Sequence, residues 1–393
     1  MQVGGRWLGV HLGNRSIVTV GGDPGTGWLA APGLSALLAR VGDPVPVRTA
    51  AGPRSAADLV AAHLADALAP HGPPDPGVAV VVTVPGHWRG HRRAALARAA
   101  AAAGLGPLTS VGSALAVAAS TAPATELPDP ALIAVLEVGE DDTSAAVVRI
   151  AGRTVDEVAP PAAPLPWGLA DAEDALLAQA LDRLPGAVVA AAAAELRAAC
   201  RSALPQLCAE PAATLPWAGE PVPIDRTAWA DALRVGARAA TGHLRDALHA
   251  AGVPVAELTG VLLAGPGARL PLVAEAVAAE LGVVPVVPAE PETAAARGAA
   301  VVAQAAAEQA PPAPAPEVAA ELPGGRSGSA RHRRPVPSRA GRRRLAAVPL
   351  LVGTLLLGGS GAVPRGGPHP DPVGAVGSGL HVPASTSLPR AHR

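Results

Sequence analysis

One candidate ligand site in the sequence is a glycine turn that follows a short apolar run. Residues 260–264 are apolar, and the chain continues with Gly265, Pro266, Gly267 and Arg269 before a helical pattern begins. Glycine has no Cβ, so a flat ring or a phosphate can approach its backbone, and the following helix N-terminus favours negative charge. Ordinary turns between a strand and a helix contain the same residues. The pattern therefore predicts strand, turn and helix, and leaves a nucleotide-binding role open.

Two further polar turns each separate a pair of apolar runs, which is typical of β-hairpins. The first turn, at residues 13–15, lies within 7–20, and the second, at 139–143, lies within 131–150. The second turn is rich in carboxylates, which repel a polyphosphate unless a metal ion intervenes. Each hairpin stands at the start of one half of the body. Two hairpins of one design predict an internally duplicated α/β fold with a cleft between its halves.

The segments between these turns show strand and helix patterns. Residues 77–84 form a continuous apolar run, typical of a strand buried on both faces, and an alanine-rich helix is predicted at 91–103. Residues 55–68 show helical spacing. From 169 to 251 the pattern is mostly helical, with two interruptions after about Leu215. We expect this last region to be an insertion.

The composition excludes several classes of function. The 393-residue chain has no Phe or Tyr, and Lys is absent from the sequence, so a catalytic lysine is excluded. The charges are unevenly distributed: from Arg326 onward there are eleven of the 31 basic residues but only one of the 32 acidic residues. Residues 1–325 therefore contain 20 Arg and 31 acidic residues. This acidic body disfavours nucleic-acid binding. Cys200 and Cys208 match neither a disulfide framework nor a metal-binding spacing, and no metal-ligand set is predicted.

The chain beyond Gln309 changes composition and predicts a membrane anchor. Residues 306–344 are rich in Pro, Ala and Arg, and we predict a disordered linker there. Residues 345–363 are nineteen uncharged residues, about 28 Å of helix, which is close to the thickness of the bilayer hydrocarbon. Arginines directly before this segment predict a cytoplasmic body and a disordered external tail at 364–393. Pro349 and the glycines near the end of the segment leave a soluble, disordered tail as the alternative.

Three segments together resemble the nucleotide-binding domain of the DnaK-type heat-shock chaperones, which belong to the actin-like ATPase superfamily. Residues 81–105 are similar to the family's strand, proline and long helix that ends in AGL. Residues 243–271 are similar to its helix, strand and glycine turn. The sequence PETAAARGAA at 291–300 looks like the start of its last helix.

The resemblance implies an α/β, actin-like two-lobed ATPase fold with mixed sheets and flanking helices, followed by one C-terminal transmembrane helix. The DnaK-like domain covers about residues 1–305. Lobe one corresponds to about 1–125, and lobe two to about 126–305 with a helical insertion at 169–251. The first hairpin is close in sequence to the strand at 77–84, which implies that the outer subdomain of lobe one is largely missing.

The resemblance also implies a site for ATP and Mg²⁺ between the lobes. In the family the two hairpins clasp the phosphates with backbone N–H groups, and the glycine turn lies against the adenosine. On this pattern the catalytic candidates are Glu137 and Asp141. The candidates for nucleotide contacts are Gly13, Asn14, Arg15, Gly139, Thr143, Arg201, Gly265, Pro266, Gly267 and Arg269.

Several residues depart from the family's catalytic pattern. His11 stands where the family has the Asp that organises metal-bound water, and neutral imidazole is a poor partner for Mg²⁺. The family's Glu after the long helix is replaced near Ser113, and its phosphate-contacting Lys has no counterpart. Along the adenine-facing helix, Leu204, Pro205 and Cys208 replace polar residues.

Two functions are consistent with this sequence. The first is a single-pass membrane protein with a cytoplasmic DnaK-like domain that binds ATP and hydrolyses it weakly. The second is a catalytically inactive pseudo-ATPase that acts as a scaffold for a membrane or secretion assembly, with a protein partner that the sequence does not identify. A folding chaperone is disfavoured because no β-sandwich for client peptides follows the body. A sugar kinase is disfavoured because no carboxylate is evident in a substrate-facing position.

Overall fold

The computed structural model describes most of the first 309 residues. The described ranges are 6–21, 25–72, 78–121, 127–152, 154–183, 186–210, 212–217 and 220–309. The predicted membrane segment 345–363, the external tail 364–393 and all but the first four residues of the linker 306–344 lie outside these ranges. None of the helices within them is long and apolar enough to cross a membrane.

The first half of the described chain forms a five-stranded mixed sheet with flanking helices. Its elements are β1 (Arg6–Leu12), β2 (Ser16–Gly21), β3 (Thr26–Ala30), α1 (Leu34–Arg40), β4 (Val47–Thr49), β5 (Gly52–Arg54), α2 (Ala56–Leu68), β6 (Val78–Val84), α3 (Gly90–Ala102), β7 (Thr109–Gly112) and α4 (Ser113–Thr121). The strand order is β3-β2-β1-β6-β7, and β4 and β5 pair separately. β1, β2 and β3 are antiparallel neighbours, whereas β6 and β7 continue the sheet in parallel.

The second half forms a four-stranded mixed sheet and a helical region. Its elements are β8 (Ala131–Val138), β9 (Thr143–Ala151), β10 (Thr154–Glu157), α5 (Leu169–Leu181), α6 (Gly186–Ala209), β11 (Ala212–Trp217), β12 (Glu220–Asp225), α7 (Arg226–Ala251), β13 (Gly260–Ala264), α8 (Pro271–Leu281) and α9 (Ala294–Gln309). The strand order is β10-β9-β8-β13, and β11 pairs with β12. The fold is therefore α/β with mixed sheets and flanking helices, as the sequence predicts.

The two larger sheets repeat one topology. In each, an antiparallel meander of three strands is followed by a strand that pairs in parallel with the first, so β1 and β6 correspond to β8 and β13. The polar turns at 13–15 and 139–143 join the first two strands of each meander. This confirms that both turns belong to hairpins, and it agrees with the predicted duplication.

α4 and α9 pack against each other between the two sheets. Ala116, Ala299 and Val302 contact the face of the first sheet, while Val117 and Ala294 contact the second. Alanine dominates this layer because the two helix backbones approach closely. A Cβ at Gly298 of α9 would overlap the carbonyl oxygen of Ala116, so glycine is required there.

The region 169–251 is mostly helical, as predicted, but its interruption is a regular element. α5, α6 and α7 enclose one core with the second sheet, and the interruption is the hairpin of β11 and β12, which packs against α6. Pro216, Pro221 and Pro223 obscure the strand pattern in the sequence. Both strands are edges of a two-stranded sheet, where proline is tolerated because a missing N–H can face away from the partner.

Gly298→Ala tests the close approach of α4 and α9. We expect the substitution to destabilise the protein by about 1–3 kcal/mol or more, because the new methyl group forces the two backbones apart. The measurement is urea unfolding followed by tryptophan fluorescence.

Gly242→Ala in α7 is the matched control, since the nearest neighbouring atom to its new Cβ lies 3.9 Å away. At this open helical position we expect Ala to stabilise by up to about 1 kcal/mol. Equal effects of the two substitutions would show that the helices are not in close contact.

Candidate functional site

A cavity of about 550 Å³ lies at the turns of the two hairpins, beside the glycine turn and the loop after β6. Seven of the predicted site residues line it: Gly13, Asn14, Glu137, Gly139, Gly265, Pro266 and Arg269. Five do not belong to its lining: Arg15, Asp141, Thr143, Arg201 and Gly267. Seven of the twelve predicted residues therefore meet at one cavity, whereas Arg15 and Arg201, which are predicted to contact the nucleotide, lie outside its lining.

The two hairpin turns are bonded directly to each other. The backbone N–H of Arg15 donates to Oε2 of Glu140 at 2.8 Å, and Ser16 Oγ donates to Oε1 of the same carboxylate at 3.3 Å. Nε of Arg15 donates to Oδ1 of Asp141 at 2.7 Å. This hydrogen bond is the main reason why the pKa of Arg15 is raised. The hairpins thus contact each other through an ion pair and two further hydrogen bonds.

The other two predicted cationic contacts also have carboxylate partners. Arg201 donates from Nε and Nη2 to the two oxygens of Glu173, at 2.7 and 2.9 Å. Glu173 is 3% exposed, so this bidentate pair is desolvated on its acidic side. Arg269 donates in the same way to Glu292, at 3.2 and 2.9 Å. All three arginines of the predicted site are therefore neutralised within the protein.

Packing within the protein explains the glycines of the turn after β13. Gly265 has a φ of 80°, and a Cβ there would overlap the carbonyl oxygen of Val138 at the end of β8. A Cβ at Gly267 would overlap Cγ1 of the same valine. The turn, a short 3₁₀ helix at Pro266–Arg269, is thus pressed against the second hairpin. These glycines are required for this packing whether or not a ligand binds.

Thr143 has a structural role at the start of β9. Its side chain is fully buried, and its hydroxyl donates to the carbonyl oxygen of Trp167 at 2.7 Å. Its backbone pairs with Leu165 in both directions at 2.8 Å. The hydroxyl is therefore directed into the protein and away from the cleft.

Glu137 belongs to a chain of polar contacts that crosses between the sheets. Its carboxylate is buried and accepts a hydrogen bond from Ser113 Oγ at 2.5 Å. His11 Nε2 lies 3.8 Å from Oε1 of Glu137, and His11 Nδ1 is 2.8 Å from Thr83 Oγ1. Thr83 is a participant that sequence reasoning missed, because a threonine in a buried strand gives no signal of its own. Residues from β1, β6, β8 and α4 meet in this chain.

Asp142 is the third acidic residue at the second hairpin turn. Burial raises its pKa, nearby Glu137 and Asp141 raise it further, and a hydrogen bond with Asn14 partly opposes them. Asp142 and Glu140 line the cavity together with Glu137. Acidic groups therefore dominate the hairpin side of the cleft.

An imidazole beside the carboxylates makes the donor set a poor match for a magnesium ion. Mg²⁺ takes oxygen ligands in octahedral geometry, usually from one or two carboxylates and the phosphates of its substrate. Within the described ranges, no group of three or more His, Cys, Asp or Glu side chains is arranged to hold a metal. His11 further places an imidazole, which Mg²⁺ does not favour, beside Glu137.

Glu157 at the end of β10 is a half-buried residue with one fully buried carboxylate oxygen, and sequence reasoning missed it. Burial raises its pKa to about 7, and Arg93 lowers it only in part. Its Oε1 has no hydrogen-bond partner among the described residues. A Cβ at Gly112, at the end of β7, would lie 2.7 Å from this oxygen. Glu157 of the second sheet thus places a poorly solvated carboxyl group against Gly112 of the first sheet.

Glu157→Gln should remove a pH dependence of stability. The folded-state pKa of about 7 lies above the ordinary 4.5, so the folded protein retains a proton that the unfolded chain loses. The contribution of this carboxyl to the free energy of unfolding is fully present below about pH 4.5. It is lost as the pH rises through 7, at roughly 1.4 kcal/mol per pH unit or about 3 kcal/mol in total. The difference in stability between Glu157→Gln and wild type should therefore shift in favour of the variant, by up to about 3 kcal/mol, as the pH rises from 5 to 8.

Urea unfolding at several pH values measures this difference. Glu275→Gln on α8 removes one negative charge at an exposed position and serves as the control. If the two variants show the same pH dependence relative to wild type, the carboxyl of Glu157 is not desolvated.

Comparisons with known proteins do not assign the chain to a family. No family model matches it, and no curated protein matches it either.

Proposed function

We propose that this protein is a degenerate, DnaK-like member of the actin-like superfamily that no longer hydrolyses ATP and acts as an interaction scaffold. The repeated topology of the two sheets, with one hairpin at the start of each, supports the two-lobed actin-like fold. The proposal depends on one observation above all. Arg15 and Ser16 of the first hairpin bind Glu140 and Asp141 of the second, where the family's hairpins clasp the phosphates.

The electrostatics of the hairpin contact oppose a triphosphate. To bind one, Arg15 would have to leave Asp141, and a phosphate would then face Glu137, Glu140 and Asp142. Two like charges 4 Å apart repel by about 4 kcal/mol at an effective dielectric constant of 20. The backbone N–H of Arg15 is no longer available to a phosphate, because Glu140 already accepts it.

The catalytic candidates are also occupied by contacts within the protein. Asp141 is paired with Arg15, and Glu137 accepts a short hydrogen bond from Ser113. Hydrolysis of ATP requires Mg²⁺ and a group that orients water. His11 stands where the family has an Asp, and the donors around it do not suit the metal. These contacts support the inactive form of the fold.

ATP binding by the cleft, with weak hydrolysis, is the second candidate function. The observation in its favour is the cavity itself, because about 550 Å³ lies within the usual range for small-molecule sites. The glycine turn lines this cavity as the family's adenosine contact would. Nucleotide binding would require the hairpins to separate and Arg15 to change partner.

The proposed scaffold is tethered to a membrane. Residues 345–363 supply nineteen uncharged residues, and three arginines precede them, so the acidic body would lie in the cytoplasm. Such a body, held at a membrane surface, suits a role in a membrane or secretion assembly. Its protein partner is not identified by the sequence or by the geometry of the cleft.

Isothermal titration of the full chain in detergent with ATP, with and without Mg²⁺, tests the proposal. We expect no saturable heat up to about 1 mM ATP, a limit that corresponds to about −4 kcal/mol of binding free energy. We expect Asp141→Asn to bind ATP more tightly than wild type, because it frees the guanidinium of Arg15 and removes one repelling charge.

Arg238→Gln, at an exposed position on α7, controls for the loss of a positive charge elsewhere. The scaffold proposal would be contradicted if the unmodified chain bound ATP saturably and this binding were abolished by Arg15→Gln but retained by Arg238→Gln. That result would favour the ATP-binding function.

A further inference from the structure

One wall of the cleft is aromatic and rich in proline, and it is open to a partner. Trp28 on β3 is 55% exposed although it lines the cavity. Trp88 also lines the cavity, but it is buried and the guanidinium of Arg92 lies over its ring at 5.9 Å, so Trp28 is the tryptophan that a partner can contact. Pro85 and Pro161 complete this surface. A large exposed indole in a concave site favours a ligand that covers it.

The opposite wall carries negative charge that the protein does not neutralise with arginine. In the described part of the chain, Glu137, Glu140 and Asp142 line the cavity and form no ion pair with an arginine side chain. Glu140 is held by Ser16 and a backbone N–H instead. The cleft therefore combines the exposed Trp28 with three carboxylates, which outnumber Arg92, the one lining arginine of the described chain without a carboxylate partner. This combination suits an extended peptide in which proline alternates with cationic side chains.

The chain itself contains a segment with this chemistry. Residues 331–344, RHRRPVPSRAGRRR, contain seven Arg, two Pro and no acidic residue. Pro335 or Pro337 can stack on the exposed ring of Trp28, and neighbouring arginines can reach the carboxylates. The body at 1–325 has eleven more acidic than basic residues, so the two parts of the chain attract each other over a longer range as well.

The length of chain between the cleft and this segment permits the contact. Glu292 lines the cavity directly before α9, and α9 at Ala294–Gln309 is about 24 Å long. From Gln309 to Arg331 the chain can span up to roughly 70 Å at about 3.3 Å per residue. It can therefore return along α9 with length to spare. A tether of this kind gives an effective concentration in the millimolar range, so a weak site would be occupied.

We propose that the cleft binds the Pro/Arg-rich segment 331–344 of the same chain. The inference rests on the proposed function only in treating the cleft as free of nucleotide. The segment lies directly before the predicted membrane helix, so docking would hold the cleft close to the membrane and cover it.

Photo-crosslinking of the purified full chain tests this docking. p-Benzoylphenylalanine placed at Val336 should form intramolecular crosslinks that map to residues 28–39 or 85–92. The same group at Val373, beyond the predicted membrane helix, is the control and should not. Trp28→Ala should reduce the Val336 crosslink several-fold, and so should about 0.5 M salt, because screening weakens the arginine contacts.

Three outcomes would overturn the proposal. Crosslinks from Val336 could fall outside the cleft as often as those from Val373, they could form only between molecules, or they could go only to detergent or lipid. The experiment contains no nucleotide, so its result can be read whether or not calorimetry detects ATP binding. Failure of the docking proposal and failure of the scaffold proposal are therefore separate results.

Discussion

The close approach of α4 and α9 is the constraint on which the rest of the structure depends. Gly298 allows the two helix backbones to meet, and the alanines around it let both sheets pack on the same helical layer. The first residue of α4 is Ser113, which bonds Glu137, and Glu292 lies just before α9 and pairs with Arg269. The contact that joins the halves thus also fixes two side chains of the cleft.

Sequence patterns predict the parts of this fold whose signals are local. Apolar runs and polar turns give the two hairpins and the strand before Gly265, because one short stretch carries the whole signal. The hairpin of β11 and β12 is missed because its prolines break the strand pattern. Ion-pair partners are missed for a different reason: residues such as Arg201 and Glu173 are 28 positions apart, and only the packing of α5 on α6 brings them together.

The glycines of the cleft show why a motif alone does not establish a ligand site. Gly265 and Gly267 have the spacing expected at a nucleotide, but both are explained by close packing against Val138. The turn needs these glycines to lie against the second hairpin, with or without a ligand. Such glycines therefore indicate the architecture of a fold, whereas unpaired charged side chains in a site indicate the kind of ligand that it binds.

A phosphate site requires cations that the folded protein leaves unpaired, and here each candidate cation has an internal carboxylate partner. Asp141, Glu173 and Glu292 are the partners of Arg15, Arg201 and Arg269, and the first of these pairs joins the two hairpins. In a two-lobed ATPase the ligand supplies the contacts that favour the closed state, and a ligand shifts the equilibrium only by its differential affinity. When the protein supplies those contacts itself, closure no longer depends on nucleotide. Under the function proposed above, the fold would present a constant surface, which is what a scaffold requires.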